Sequence, residues 1–190
     1  MFIIKNKYFL IIESIKDINL KNIKIRNKFF IIYRNQKNTD VLNELLKFRQ
    51  VCKSKAIKFY VANNIKLAIS LNSDGIYLSS FNKGLNFLCF KRKNFKIIGS
   101  AHNFKEIACK IKQGCDLILL SKLFLVDYNK SASHLGIVRF NRYTKFSRKL
   151  IPLGGIKKDN LNCLNNVFSE GFALLSEVKK KPANIINRLF

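Results

Sequence analysis

The chain lacks any long uninterrupted apolar run. Its first apolar stretch is broken by Lys5 and Lys7, and the next, Tyr8 to Ile12, ends at Glu13. A membrane span needs about 18 such residues, so none is expected. A signal peptide is not expected either, because a clear h-region and a small-residue cleavage site are both missing. Paired cysteine spacing is absent as well. The five cysteines, at 52, 89, 109, 115 and 163, form no CxxC and have no histidine at metal-ligand intervals, which argues against zinc. Most lie in apolar surroundings such as Ile107-Ala108-Cys109 and Gly114-Cys115-Asp116-Leu117, where a free thiol behaves as a small hydrophobe. A reducing cytoplasm is the expected compartment.

Acidic residues are scarce, 11 against 36 basic ones, for a net charge of +25. Such a charge suits nucleic acid or an anionic membrane. The lysines, however, are spread along the whole chain, and Lys, Asn and Ile, all with AT-rich codons, are abundant together. Genome composition accounts for this bias without a polyanionic partner. RNA-binding surfaces interleave charge with exposed aromatics or carry a recognisable module. Here the 17 phenylalanines sit mostly in strand-like runs, and a nucleic-acid role ranks last.

A hydrophobic share of 48% excludes a disordered tail, and 190 residues allow one substantial core. No internal repeat or low-complexity linker divides the chain, so residues 1–190 are expected to form a single domain. Short apolar runs predict strands at Tyr8–Ile12, Phe29–Tyr33, Lys58–Val61, Gly75–Leu78, Lys96–Gly99, Leu117–Leu120, Leu150–Leu153 and Phe172–Leu175. Several are continuously apolar, as strands buried on both faces should be. Between them, Thr39 is placed to cap a helix with Val41, Leu42, Leu45, Leu46 and Phe48 at helical spacing. Asn103 is placed to cap Phe104–Gln113, with Ile107, Ala108 and Ile111 inward and Gly114 as the stop. A third helix opens at Asp159-Asn160 and runs through Leu161, Leu164 and Val167. Eight strands alternating with helices predict a small (β/α)8 TIM barrel of parallel strands. Ser14 to Lys28 leaves room only for a shortened first helix.

Ligands of such barrels bind where the strands end at the C-terminal face. The most informative of these positions is Pro152-Leu153-Gly154-Gly155-Ile156, a strand ending in two glycines before a polar helix start. Glycines let backbone amides approach a phosphate closely, and the following strand ends at Ser176, where a short extra helix would add N–H groups. A phosphate site at Gly154, Gly155 and Ser176 is preferred here over a merely tight turn.

The ordered motifs carry a resemblance. Ile98-Gly99-Ser100-Ala101-His102 with Glu106, Ala108 and Gly114-Cys115-Asp116 is similar to a "GxSxH…E…A…GAD" passage. Asp74-Gly75-Ile76-Tyr77-Leu78 is similar to "DGVHL", and Leu153-Gly154-Gly155-Ile156 with Asn160 and Gly171–Ser176 to "GGI…N…GVAVVS". From about Tyr8 to Val178 the chain resembles the thiamine-phosphate synthase and thiazole tautomerase family. The resemblance implies a role in thiamine biosynthesis, as a transferase that joins hydroxymethylpyrimidine diphosphate to a thiazole phosphate, with Mg²⁺ on the diphosphate. It places Arg34, Ser100 and Lys130 in the catalytic set, and Gly154, Gly155, Ser176 and Lys122 on phosphate.

Departures from the pattern are lopsided. Of Gln-x-Arg-x-Lys after strand two, only Arg34 stays in register, with Lys37 one place late. The two metal carboxylates fall on Asn63 and Asn82, so a weakened Mg²⁺ site is expected. In the strand-six loop Lys130 is displaced by one, and the tautomerase's catalytic histidine falls on Lys122, so that activity is not expected; His134 is read as solvent-exposed. Two readings follow. One is a divergent synthase in which Lys37, Lys122 and Lys130 supply charge otherwise given by the metal. The other is a barrel that binds a phosphate ligand but has lost the Mg-diphosphate half.

Overall fold

The computed structural model describes residues 5–23, 27–35, 40–91, 94–127 and 133–180. Its strands are β1 (Lys7–Ile12), β2 (Phe29–Tyr33), β3 (Lys58–Ala62), β4 (Gly75–Leu78), β5 (Lys96–Ala101), β6 (Leu117–Ser121), β7 (Leu150–Leu153) and β8 (Gly171–Leu174). All pair in parallel in chain order, and β1 pairs with β8 to close the barrel. The expected strands and the closed topology are therefore found, each strand within one or two residues of its expected bounds.

Strand composition follows from closure. Phe9, Ile11, Ile32, Tyr60, Tyr77, Ile98, Leu119, Ile151 and Ala173 fill the barrel interior. Tyr8, Leu10, Ile12, Phe29, Ile31 and Tyr33 point the other way, into the layer beneath the helices. Successive residues of a strand alternate faces, so β2 and β1 from Tyr8 onward carry an aromatic or aliphatic side chain at every position. The interior is rich in rings: Phe9 stacks on Phe30 with centroids 4.6 Å apart, and Phe30 lies 6.3 Å from Tyr60.

The helices are α1 (Leu42–Ser54), α2 (Ile65–Ser70), α3 (Phe104–Lys112), α4 (Gly136–Thr144) and α5 (Ser176–Lys180). Asn103 caps α3 by accepting from the Glu106 amide, and Gly114 follows it at φ +71°. Ile107 is buried, but Ile111 is 43% exposed, contrary to the inward placement expected. In α1 only Leu45 and Cys52 are buried; Val41, Leu42 and Leu46 face solvent, because a single row of contacts suffices against β3. Thr39 lies outside the described residues; Val41 occupies the N-cap without a side-chain bond. The third expected helix is a 3₁₀ run, Lys158–Asn166, whose Leu164 and the following Val167 still pack inward.

Cys52 and Cys115 are fully buried, and burial pushes both thiols up to about 12; Cys109 is half-buried, while Cys89 and Cys163 are exposed. The motif aspartates Asp74 and Asp116 are structural. They sit at the N-terminal ends of β4 and β6 and accept the amides of Phe59 and Ile97 at 2.9 Å.

Among its described residues, the first connection holds only two three-residue 3₁₀ turns, Ile15–Asp17 and Leu20–Asn22. A carboxylate replaces the missing helix as the tie. Asp40 accepts from Ser14 Oγ at 2.7 Å, Ile15 N at 3.2 Å, Tyr33 Oη at 2.9 Å and Asn35 Nδ2 at 3.4 Å. Burial alone would raise its pKa, but these donors together hold it below the usual 3.8. Burial pushes the Tyr33 phenol up to about 12. A depressed carboxyl stabilises the fold above its unfolded pKa, and that contribution is lost as pH falls through the folded value. Asp40→Asn is therefore expected to cost about 1 kcal/mol at neutral pH in urea unfolding. The deficit should shrink as pH falls below the unfolded carboxyl's pKa of about 4 and vanish only once pH is below the depressed folded value.

Candidate active site

The C-terminal ends of the strands surround a cavity of about 420 Å³. Its wall brings together Arg34 after β2, Ser100 on β5, Lys122 after β6, Gly154 and Gly155 after β7, and Ser176 after β8. Gly155 and Ser176 thus share one end of the barrel, as the sequence predicts. Lys130 and Lys37 lie outside the described residues. Asn63 and Asn82 stand beside the cavity and contact each other, but do not line it.

The floor is set by Tyr77, whose hydroxyl bonds Ser100. Burial raises the pKa of that phenol, so it stays a neutral donor. Arg34 reaches in from the side. One of its terminal nitrogens is 3.5 Å from Glu13 Oε1, while its Nε is buried and without a partner among the described residues. A buried N–H left unpaired is costly, so this atom points to an acceptor brought by a ligand.

Three further residues line the mouth: His102, which the strand-end reading of the sequence includes without a role, and Lys157 and Tyr77, which it does not. His102 presents Nδ1 at 2.8 Å from Ser121 Oγ. Its amide donates to Glu106 Oε2 at 2.8 Å, which fixes the backbone at the start of α3. The motif around Ser100 contains this histidine, so its order in the sequence was the available signal. Lys157 follows the glycine pair and bonds Asp127. Tyr77 falls at the histidine position of the "DGVHL"-like motif, which was the signal available for it. The cationic residues at the mouth are Arg34, Lys122 and Lys157, against Asp127 and Glu177.

The glycine pair has a packing reason of its own. Gly154 and Gly155 have φ of +93° and +68°. A Cβ on Gly155 would meet the carbonyl oxygens of Phe124 and Leu125 at 2.4 Å, and one on Gly154 would meet Lys122 Cα at 3.2 Å. The β7 turn therefore lies directly against the β6 loop, tied by Phe124 N to Gly154 O at 3.0 Å. Glycine is required there whether or not a phosphate binds.

The residues implied for Mg²⁺ do not fit a cation. Asn63 Oδ1 already accepts Ser79 N at 3.1 Å, Ser79 Oγ at 3.0 Å and Asn82 Nδ2 at 3.3 Å. Three donors on one carbonyl oxygen leave it no lone pair for a metal. Asn82 Oδ1 in turn accepts Gly84 N at 3.1 Å. Neither side chain brings charge, and hard divalent cations favour carboxylates.

Comparison with known proteins agrees with this architecture. A family model described as thiamine monophosphate synthase matches residues 3–178. A thiamine-phosphate synthase of Prochlorococcus marinus (strain AS9601) is 30% identical over 94% of this chain and 50% of its own length. Another, of Clostridioides difficile (strain 630), is 24% identical over 77% of this chain and 71% of its own. The chain thus spans about half the length of the first relative. Among solved structures, thiamine phosphate pyrophosphorylase from Pyrococcus furiosus superposes with a TM-score of 0.76 at 17% identity, covering 97% of this chain and 93% of that one. KGPDC from Streptococcus mutans gives 0.68 at 8% identity, covering 97% and 95%. At such identities these structures attest the fold alone.

The glycine geometry makes a prediction. Gly155→Ala should lower stability by at least 2 kcal/mol in urea unfolding, since positive φ and a backbone clash add. Gly154→Ala, with its looser contact, should cost less.

Proposed function

The chain belongs to the thiamine monophosphate synthase family, and from that premise we propose that its barrel mouth joins a thiazole phosphate to a hydroxymethylpyrimidine diphosphate, releasing pyrophosphate. The observation that most supports this reading is Arg34 Nε, buried and unpartnered among the described residues, at the wall of a cavity that also holds Lys122. Guanidinium N–H groups pair best with phosphate oxygens.

Roles follow from position. The thiazole phosphate lies against the Gly154–Gly155 turn and Ser176, with Lys157 adjacent. Tyr77 and Ser100 form the floor on which an aromatic ring is oriented. As the new bond to the thiazole forms, the carbon–oxygen bond to the diphosphate breaks and the departing oxygen takes the electron pair. Arg34 and Lys122 stabilise that charge, aided by Lys130 of the β6–β7 connection. No step is assigned to Mg²⁺, because Asn63 Oδ1 accepts from Ser79 and Asn82, and Asn82 Oδ1 from Gly84. We further place the chain in the cytoplasm, as one domain over residues 1–190, with small phosphate-bearing molecules and not nucleic acid as its partners. No helix among the described residues is long and apolar enough to cross a membrane.

The saturated Asn63 oxygen also favours a second reading, a barrel that binds the phosphate ligand but has lost the synthase reaction. Purified protein given both substrates, with and without EDTA, separates the two. Thiamine phosphate formed at a rate that EDTA leaves unchanged is the expected result. A rate that collapses with EDTA would restore metal dependence, and no product under either condition would leave the binding role.

A further inference from the structure

Lys110 lies on α3, outside the barrel and away from the cavity lining, yet it has no exposed surface. Burying an ammonium is expensive unless every N–H finds an acceptor. Here all three do. Nζ donates to Ser79 O at 2.7 Å, Asn82 O at 2.6 Å and Gln113 Oε1 at 2.8 Å. Gln113, also fully buried, donates its amide to Asn82 O at 3.1 Å and Gly84 O at 2.7 Å. Four donated bonds from α3 and its C-cap thus grip one short stretch, Ser79 to Gly84, and the fifth ties Lys110 to Gln113.

That stretch is a wall of the mouth, through Ser79, Ser80 and Phe81. It has no regular structure until the 3₁₀ turn at Leu88–Phe90, so its shape depends on these bonds and on Asn63. The lysine stem reaches it by crossing β5 at Gly99, where a Cβ would meet Lys110 Cδ at 2.8 Å and Cγ at 3.0 Å. Gly99 therefore opens the passage for this side chain.

We propose that Lys110 is a positioning residue of the mouth: its ammonium, ringed by carbonyl oxygens, is a resident cation that shapes the Ser79–Gly84 wall and favours an anion beside it without a bound divalent metal. The proposal rests on the reading that the mouth takes phosphate-bearing ligands. It accounts for the failure of Asn63 and Asn82 to fit a metal, since the loop that holds Asn82, and that Asn63 bonds from the end of β3, is already organised around a fixed charge. A buried charge one residue behind the wall is weakly screened, so its field reaches an anion in the cavity.

The test uses the full chain, its Lys110→Met and Lys110→Gln variants, and inorganic pyrophosphate as probe. In EDTA the parent should bind pyrophosphate, and both variants should bind about tenfold more weakly, a loss near 1.4 kcal/mol. Gln keeps donors without charge, so its loss isolates the electrostatic part. Amide exchange at 80–84 should be equal in the parent with EDTA or Mg²⁺, and faster in Lys110→Met while β1 and β8 are unchanged. Parent protection that appears only with Mg²⁺, or variants with parental exchange and affinity, would overturn the proposal. If neither variant folds, the parent's exchange with and without Mg²⁺ still decides it. A negative synthase assay beside the expected exchange result removes the catalytic reading and leaves Lys110 standing. A parent that does not bind pyrophosphate removes the anion reading and the charge effect with it, leaving the exchange arm to judge the wall.

Discussion

Closure of eight short parallel strands is the constraint from which the rest follows. A closed barrel has no edge, so each strand must bury one face among interior side chains and the other beneath a helix or loop. Phe9 and Ile11 face inward while Tyr8, Leu10 and Ile12 face outward, all on β1 and all buried. No strand can spare a position for polar chemistry except at its ends. The motif aspartates are consequently divided from the mouth. Asp74 and Asp116 tie the N-terminal ends together, and the ligand-facing residues gather at the other.

This explains how much was legible in the sequence. The strands could be read because double burial makes them continuously apolar, and their number together with the alternating helices fixed the topology. The residues at strand ends followed, so Arg34, Ser100, Lys122, Gly154, Gly155 and Ser176 are found around one cavity. Helix faces were less legible. Ile111 and Leu46 have the spacing of core residues but stand 43% and 36% exposed, because a small barrel covers each helix along a narrow strip. The tie through Asp40 and the grip of Lys110 were illegible for a different reason. Both join residues distant in the chain, and a lysine within a helix reads as solvated until its surroundings are known. Lys110 reaches back 31 and 28 positions to Ser79 and Asn82.

The electrostatic character of the mouth is likewise a matter of arrangement rather than of total charge. The +25 of the whole chain says little about any one place. What differs at the mouth is confinement: Arg34 with a buried N–H unpaired among the described residues, Lys122 and Lys157 around a pocket, and Lys110 behind its wall. Confined charges are less screened than the scattered lysines outside, and the amides Asn63 and Asn82 beside the cavity add no negative charge to offset them.

The contact between the β7 turn and the β6 loop has an evolutionary corollary. Gly155 presses against the Phe124 and Leu125 carbonyls, and Gly154 against Lys122, so the two loops form a single moulded surface. Neither contacting stretch, 122–125 or 154–155, can change its backbone course alone without opening a gap or a collision. Viable paths through sequence space must therefore alter these two stretches together. Around this part of the mouth, novelty in ligand preference is cheaper to gain by changing side chains such as Lys122 or Lys157 than by remodelling backbone.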